Sequence, residues 1–373
     1  MKPIYIILIV IILIVVGMLL TNNINQFKLP EGESVPADTL SDTDVGDVNS
    51  TVGAEHINIE DGMENFNSKK STNTGGTLAR THERELFITD GVKHSIPIDE
   101  ILSGGPPKDG IPSIDDPKFI STKDADDFLE SDAVGLGLFY KGQARFYPYQ
   151  VLVWHEIVND TVAGDPVLVT YCPLCATAIA FNRTLEGEST TFGVSGKLWQ
   201  SNLLMYNRTD DPDKESLWSQ VLGEAVLGEF TGTKLSIVPS DVVRYGEWKG
   251  LHTDTEVLSR DTGTTRIYGS DPYDGYYTSE SVSFGATFND KRLHPKEFVL
   301  GVEVNGLFKA YQKDKLPVGT TEDSFAGKTL NIQKNTAGVV NITDKNTGSE
   351  VPIIGGFWFS WLAVHPETQL YKI

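Results

Sequence analysis

Apolar and polar positions divide this chain into three regimes. From Ile4 to Leu20 the run is unbroken and rich in Ile, Leu and Val. At about 1.5 Å per residue, a helix over 4–20 is just long enough to span a bilayer core. Lys2 precedes the run and Thr21-Asn22-Asn23 follows it. The positive-inside rule therefore predicts a cytoplasmic stub at 1–3 and places everything after the span outside the cytoplasm. No small-residue cleavage site occurs in Gly17–Thr21, and no cysteine follows the run to take a lipid. The expectation is an uncleaved single-pass anchor in the cell membrane. Residues 21–84 are rich in Asp, Glu, Asn, Ser, Thr and Gly and almost lack aromatics. Such a stretch buries too little apolar surface to offset its ordering entropy, which predicts a disordered acidic tether.

From residue 85 to 373 the pattern changes to short apolar runs punctuated by Gly, Asn, Asp and Pro. Val167–Thr170, Ala178–Phe181 and Leu300–Val304 read as strands. Glu186-Gly187, Asn305-Gly306 and Thr347-Gly348 read as hairpin turns. The best helix starts at Pro148 and runs through Val151, Leu152, Trp154, His155 and Val158. The prediction is an α+β, mainly β domain outside the cytoplasm.

An internal repeat sharpens that expectation. Gly137–Leu152 aligns with Gly301–Leu316, placing Gly142 on Gly306, Arg145 on Lys309 and Tyr147 on Tyr311. Shortly afterwards Asp160–Gly164 echoes Asp323–Gly327. Two copies, near 134–183 and 299–345, predict pseudo-duplicated β-hairpin modules within one large domain. Only the first continues into Tyr171-Cys172-Pro173-Leu174-Cys175; the second reads Gln333-Lys334-Asn335-Thr336 there.

Charge and cysteine usage then narrow the chemistry. A formal net charge of −20 disfavours nucleic acid and anionic headgroups as partners at long range. The only two cysteines are Cys172 and Cys175. At this spacing one thiolate can attack a disulfide and the other resolve it. Two thiolates also suit copper or zinc, with His155 or Met205 completing the shell. If the helix from Pro148 packs against Val167–Tyr171, however, His155 lies roughly 10 Å from Cys172. The third use is a structural Cys172–Cys175 disulfide in a non-catalytic module that binds an envelope ligand. The hairpin patterning after Ala176 leaves little room for the long helix of a thioredoxin-like fold.

Several ordered motifs together resemble the family called domain of unknown function 3179, known from exported or membrane-tethered prokaryotic proteins. They include Trp154–Asp160, Thr170–Cys175, Phe192–Gly196, Leu217–Gln220, Leu258–Gly263, His294–Glu297 and Phe357–Phe359 with His365-Pro366. The family brings no established activity, and this chain departs from its pattern at Asp210–Lys214. The resemblance adds Glu156, Asn159, Ser195, Trp218, Arg260 and Asp261 as residues expected to line one cleft, with Arg260 and Asp261 also readable as a buried pair. The reading is thus a membrane-anchored domain whose CPLC motif forms a metal or thiol-redox site, with the bridged binding module as the alternative.

Overall fold

The computed structural model describes residues 84–372; the anchor expected at 4–20 and the tether up to residue 83 lie outside the described residues. No helix among the described residues is long and apolar enough to cross a membrane. Their architecture is mainly β. Strands form sheets of seven, five, four, four, three and two members, and the α-helices reach at most the seven residues of Tyr245–Leu251 and Trp358–Val364.

The expected helix from Pro148 is cut short. It covers only Tyr149–Leu152, and Glu156 then adopts a left-handed φ of 59°. Ile157–Val162 leaves as a strand, paired antiparallel with Asp165–Cys172 in the register Ile157 to Thr170. The physical reason is two-sided burial. Ile157 and Leu168 face the core that holds the cysteines. Val158, Val167 and Val169 face a second core on the other side of the sheet. Consecutive residues entering opposite cores require the period of two that a strand supplies.

The two similar segments adopt matching geometry. Val134–Tyr140 pairs with Gln143–Pro148, and Phe298–Val304 with Leu307–Gln312, with Gly137 opposite Phe146 and Gly301 opposite Ala310. Each hairpin gains an antiparallel strand on one edge, Asp241–Arg244 or Ile353–Phe357. Each also gains a parallel strand on the other, Glu256–Leu258 or Gln369–Leu370. A short helix links the two added strands in both modules, and its tryptophan lies flat against a glycine. A Cβ at Gly137 would fall 2.5 Å from the Trp248 ring, and one at Gly301 2.4 Å from Trp361. A carboxylate, buried in the first module and partly buried in the second, closes each module. Asp160 accepts from Tyr147 Oη at 2.6 Å and pairs with Arg145 at 2.9 Å. Asp323 accepts from Tyr311 Oη at 2.7 Å and pairs with Lys309 at 2.5 Å.

The modules meet at the cysteine motif. Phe357 N, at the end of the second module's edge strand, donates to Cys175 O at 2.8 Å. A Cβ at the adjoining Gly356 would fall 2.4 Å from Thr177 Cγ2.

Candidate functional site: a buried dithiol at a hairpin tip

Asp165–Cys172 and Thr177–Asn182 pair with Cys172 opposite Thr177, so Pro173–Ala176 forms the loop of a hairpin. Proline presets the first loop residue, Cys175 N donates to Cys172 O at 3.2 Å, and Ala176 takes a left-handed φ of 49°. Both cysteines are buried and free. The neighbouring strand brings a carboxyl alongside. Tyr171 N donates to Glu156 O at 2.7 Å, which sets Glu156 beside the residue that precedes Cys172.

A polar cage surrounds the sulfurs. Gln200 and Ser201, both with positive φ, make the two-residue turn between Phe192–Trp199 and Asn202–Asn207. The turn aims Ser201 O at the thiols, 3.2 Å from Cys175 Sγ and 3.8 Å from Cys172 Sγ. Asn202 Nδ2 donates to Gln220 Oε1 at 2.9 Å, and Asn202 Oδ1 accepts from Val221 N at 3.0 Å. Gln220 Nε2 donates to Thr170 Oγ1 at 3.0 Å, while Thr177 Oγ1 donates to Gln220 Oε1 at 2.7 Å. The second module adds Ser360, buried in the helix Trp358–Val364.

This cage splits the two thiols electrostatically. Burial pushes Cys172 well above the usual thiol range, and its coupling to Cys175 adds to the rise. Burial also opposes ionisation of Cys175, but the polar groups around it, the Cys172 thiol foremost, outweigh it and bring that thiol below its ordinary value. The first proton of the pair thus leaves Cys175. Glu156 holds its proton well above the usual carboxylate range, chiefly through burial and then through the charge of Cys172. The arrangement can hold one thiolate, one thiol and one protonated carboxyl in a site closed to water.

A family model described as a protein of unknown function, DUF3179, matches residues 108–368. The chain belongs to this family. No curated protein and no solved structure matches it significantly.

In the DUF3179 domain the other predicted residues engage groups other than the sulfurs. His155 Nδ1 lies 2.7 Å from Pro112 O, which can only accept, so Nδ1 carries the hydrogen. His155 Nε2 then accepts from Tyr268 Oη at 2.7 Å. Both ring nitrogens are engaged, and burial lowers the pKa of the ring and keeps it neutral. Met205 is fully buried opposite Trp218, in the same core as the cysteines. Among the described residues no group of three or more His, Cys, Asp and Glu is placed to hold a metal ion.

Asn159 clamps a neighbouring strand, donating to Phe192 O and accepting from Phe192 N, both at 2.8 Å. Ser195 Oγ donates to Leu204 O and accepts from Lys197 N at the bulge between Val194 and Lys197. Trp218 is a core residue whose Nε1 donates to Asn207 Oδ1 at 3.0 Å. Arg260 and Asp261 are not paired with each other. Arg260 donates to Gln150 Oε1 and lies over the Phe128 ring, whereas exposed Asp261 pairs with Lys118 at 2.8 Å. Of the predicted residues, Cys172, Cys175 and Glu156 form the site. Ser201, Asn202, Gln220 and Ser360 were missed, although Gln220 closes the motif Leu217–Gln220 that also holds Trp218.

A cavity of about 900 Å³ lies elsewhere, against the second module between Glu224, Lys234, Phe308 and Trp361. No residue of the cysteine cage lines it.

Proposed function

We propose that this protein is a dithiol–disulfide redox protein, held outside the cytoplasm by its N-terminal span. The observation that carries the reading is the unequal pair, with the acidity of Cys175 raised beside a proton-retaining Cys172 and a protonated Glu156. Free thiols are selected for reactivity more often than for packing, and an oxidising exterior supplies disulfide partners.

The chemistry is exchange with a disulfide R–S–S–R′. The Cys175 thiolate attacks one sulfur to form a mixed disulfide, and the leaving R′ sulfur takes the proton of Glu156. Cys172 then returns its proton to Glu156 and attacks the Cys175 sulfur, releasing the other thiolate. One protein thiolate and one thiol are oxidised to a disulfide, the partner disulfide is reduced to one thiol and one thiolate, and Glu156 ends protonated as it began.

Glutathione redox buffers poised from about −180 to −300 mV, followed by alkylation and intact-mass analysis, test the reading. A two-electron transition between dithiol and disulfide is expected, with Cys172→Ser accumulating the mixed disulfide. Thiols that stay reduced across the whole range sink it. Soft copper(I) is the second reading, because paired thiolates alone provide its preferred ligands, whereas a tetrahedral zinc site lacks further donors here. Metal analysis of the anaerobically purified protein separates the two: stoichiometric copper, lost in Cys175→Ser, favours the metal. The repeat in the sequence and the matched registers also support descent of the two modules from one duplicated unit.

A further inference from the structure

The dithiol is enclosed by a segment that contributes little else to the fold. Tyr273, Tyr276 and Tyr277 pack against the core that holds Cys172 and Cys175. The same stretch reaches the thiol-facing turn, where Ser201 N donates to Phe284 O at 3.2 Å and Thr287 N to Gln200 Oε1 at 2.6 Å. Yet from Arg260 to Pro295 no residue is fully buried, and the one helical turn near the thiols is the 3-10 turn Tyr276–Thr278. A segment with so few buried contacts belongs to the low-stability end of a fold.

One side chain gathers three of its backbone carbonyls. Lys296 is only 6% exposed. Its Nζ donates to Tyr276 O at 2.9 Å, Ser279 O at 2.9 Å and Ser281 O at 2.8 Å. Three N–H donors meet three carbonyls, which saturates the ammonium, and its charge also lies 3.6 Å from the centre of the Tyr276 ring. Lys296 itself is rooted in the rigid body, since Phe359 N donates to Pro295 O at 3.0 Å and Trp358 N to Glu297 O at 2.9 Å. Either side of the clamped carbonyls the backbone bends through positive φ, at Gly275 (81°) and at Phe284-Gly285 (55° and 69°). Phe284 holds that conformation without being glycine, which is a strained arrangement for an aromatic residue.

We infer that residues 273–288 are a cap over the dithiol, that Lys296 is the clamp holding it shut, and that a partner disulfide reaches Cys175 when the cap swings away. The inference rests on the dithiol reading for its purpose, but its geometry is independent of it. Lys296 is a positioning residue: it acts through the cap and touches neither sulfur.

The test is the rate at which N-ethylmaleimide alkylates the two cysteines of the purified full chain under native conditions, read by intact mass. In the wild type the rate is expected to be nearly flat at low denaturant, as for a local opening, and to steepen only near the unfolding transition. In Lys296→Met it is expected to rise roughly tenfold or more. Hydrogen exchange over 273–288 should rise with it and exchange in the CPLC hairpin should not. Rates within about twofold of wild type in a folded Lys296→Met overturn the clamp. A wild-type rate that tracks global unfolding from the first increment of denaturant overturns the cap, and that measurement stands even if the variant fails to fold. Neither readout involves disulfide exchange, so a protein that alkylates as expected but never oxidises keeps the cap and loses the redox reading.

Discussion

Glu156 is the residue at which burial and charge compete most plainly. Its carboxyl is protonated in the folded protein well above the ordinary 4.5, while in the unfolded chain it ionises near that value. The unfolded state therefore binds fewer protons than the native state, and stability falls as pH rises from about 4.5 towards the raised folded value. Glu156→Gln removes this titration. The variant should match wild type near pH 4, where both side chains are neutral, and exceed it at pH 7. Thermal midpoints across that range check the sign; a variant less stable than wild type at pH 7 contradicts it. The same substitution removes the proton carrier, so disulfide exchange should slow while stability improves.

At the scale of elements, the amide of Gln220 ties the CPLC hairpin to its neighbours. That side chain joins Thr170 on one strand to Thr177 on the next and to Asn202 on the adjacent turn. Gln220→Ala strands several buried donors and acceptors together and should cost about 2–3 kcal/mol, measured by urea unfolding. A loss below about 0.5 kcal/mol would mean the cage is not cooperative. The hairpins were legible in the sequence, because β-branched runs such as Val167–Thr170 and turn pairs such as Asn305-Gly306 act locally. The helix from Pro148 was overextended because Val151, Leu152 and Val158 fit a period of 3.6. Only the presence of two cores on opposite sides makes Ile157 and Val158 face apart. Cys172, Cys175 and Glu156 were readable as chemistry-bearing types in a motif. Ser201, Asn202 and Ser360 were not, since their role comes from strands and a helix distant in the chain. The cap lacks any periodicity, and nothing in the sequence around Lys296 distinguishes a clamp from a surface lysine.

Over the whole molecule, the two modules share one construction rule: a glycine on the hairpin lies against a tryptophan on the following helix. Gly137→Ala and Gly301→Ala each force a methyl into an indole ring, and overpacking of this kind should cost about 1–3 kcal/mol in either module. The first module carries the dithiol, and the second carries Ser360 and the anchorage of Lys296. Damage to the second should therefore appear at the cysteines of the first. Gly356→Ala tests that link, since its methyl would meet Thr177 beside Cys172. Faster thiol alkylation with the second module still folded is the expected result, and an unchanged rate would separate the modules functionally.

The closeness of Gly356 and Thr177 also bears on how such sequences can change over time. Where the clearance between two halves of a molecule is one hydrogen atom, neither position can drift alone. A side chain gained at 356 is tolerable only with a smaller residue at 177, and Thr177 is itself committed to Gln220. Among relatives, positions 356, 177 and 220 should therefore vary as a set or stay fixed as a set, and an alignment in which they vary independently would show that the modules are not joined in this way.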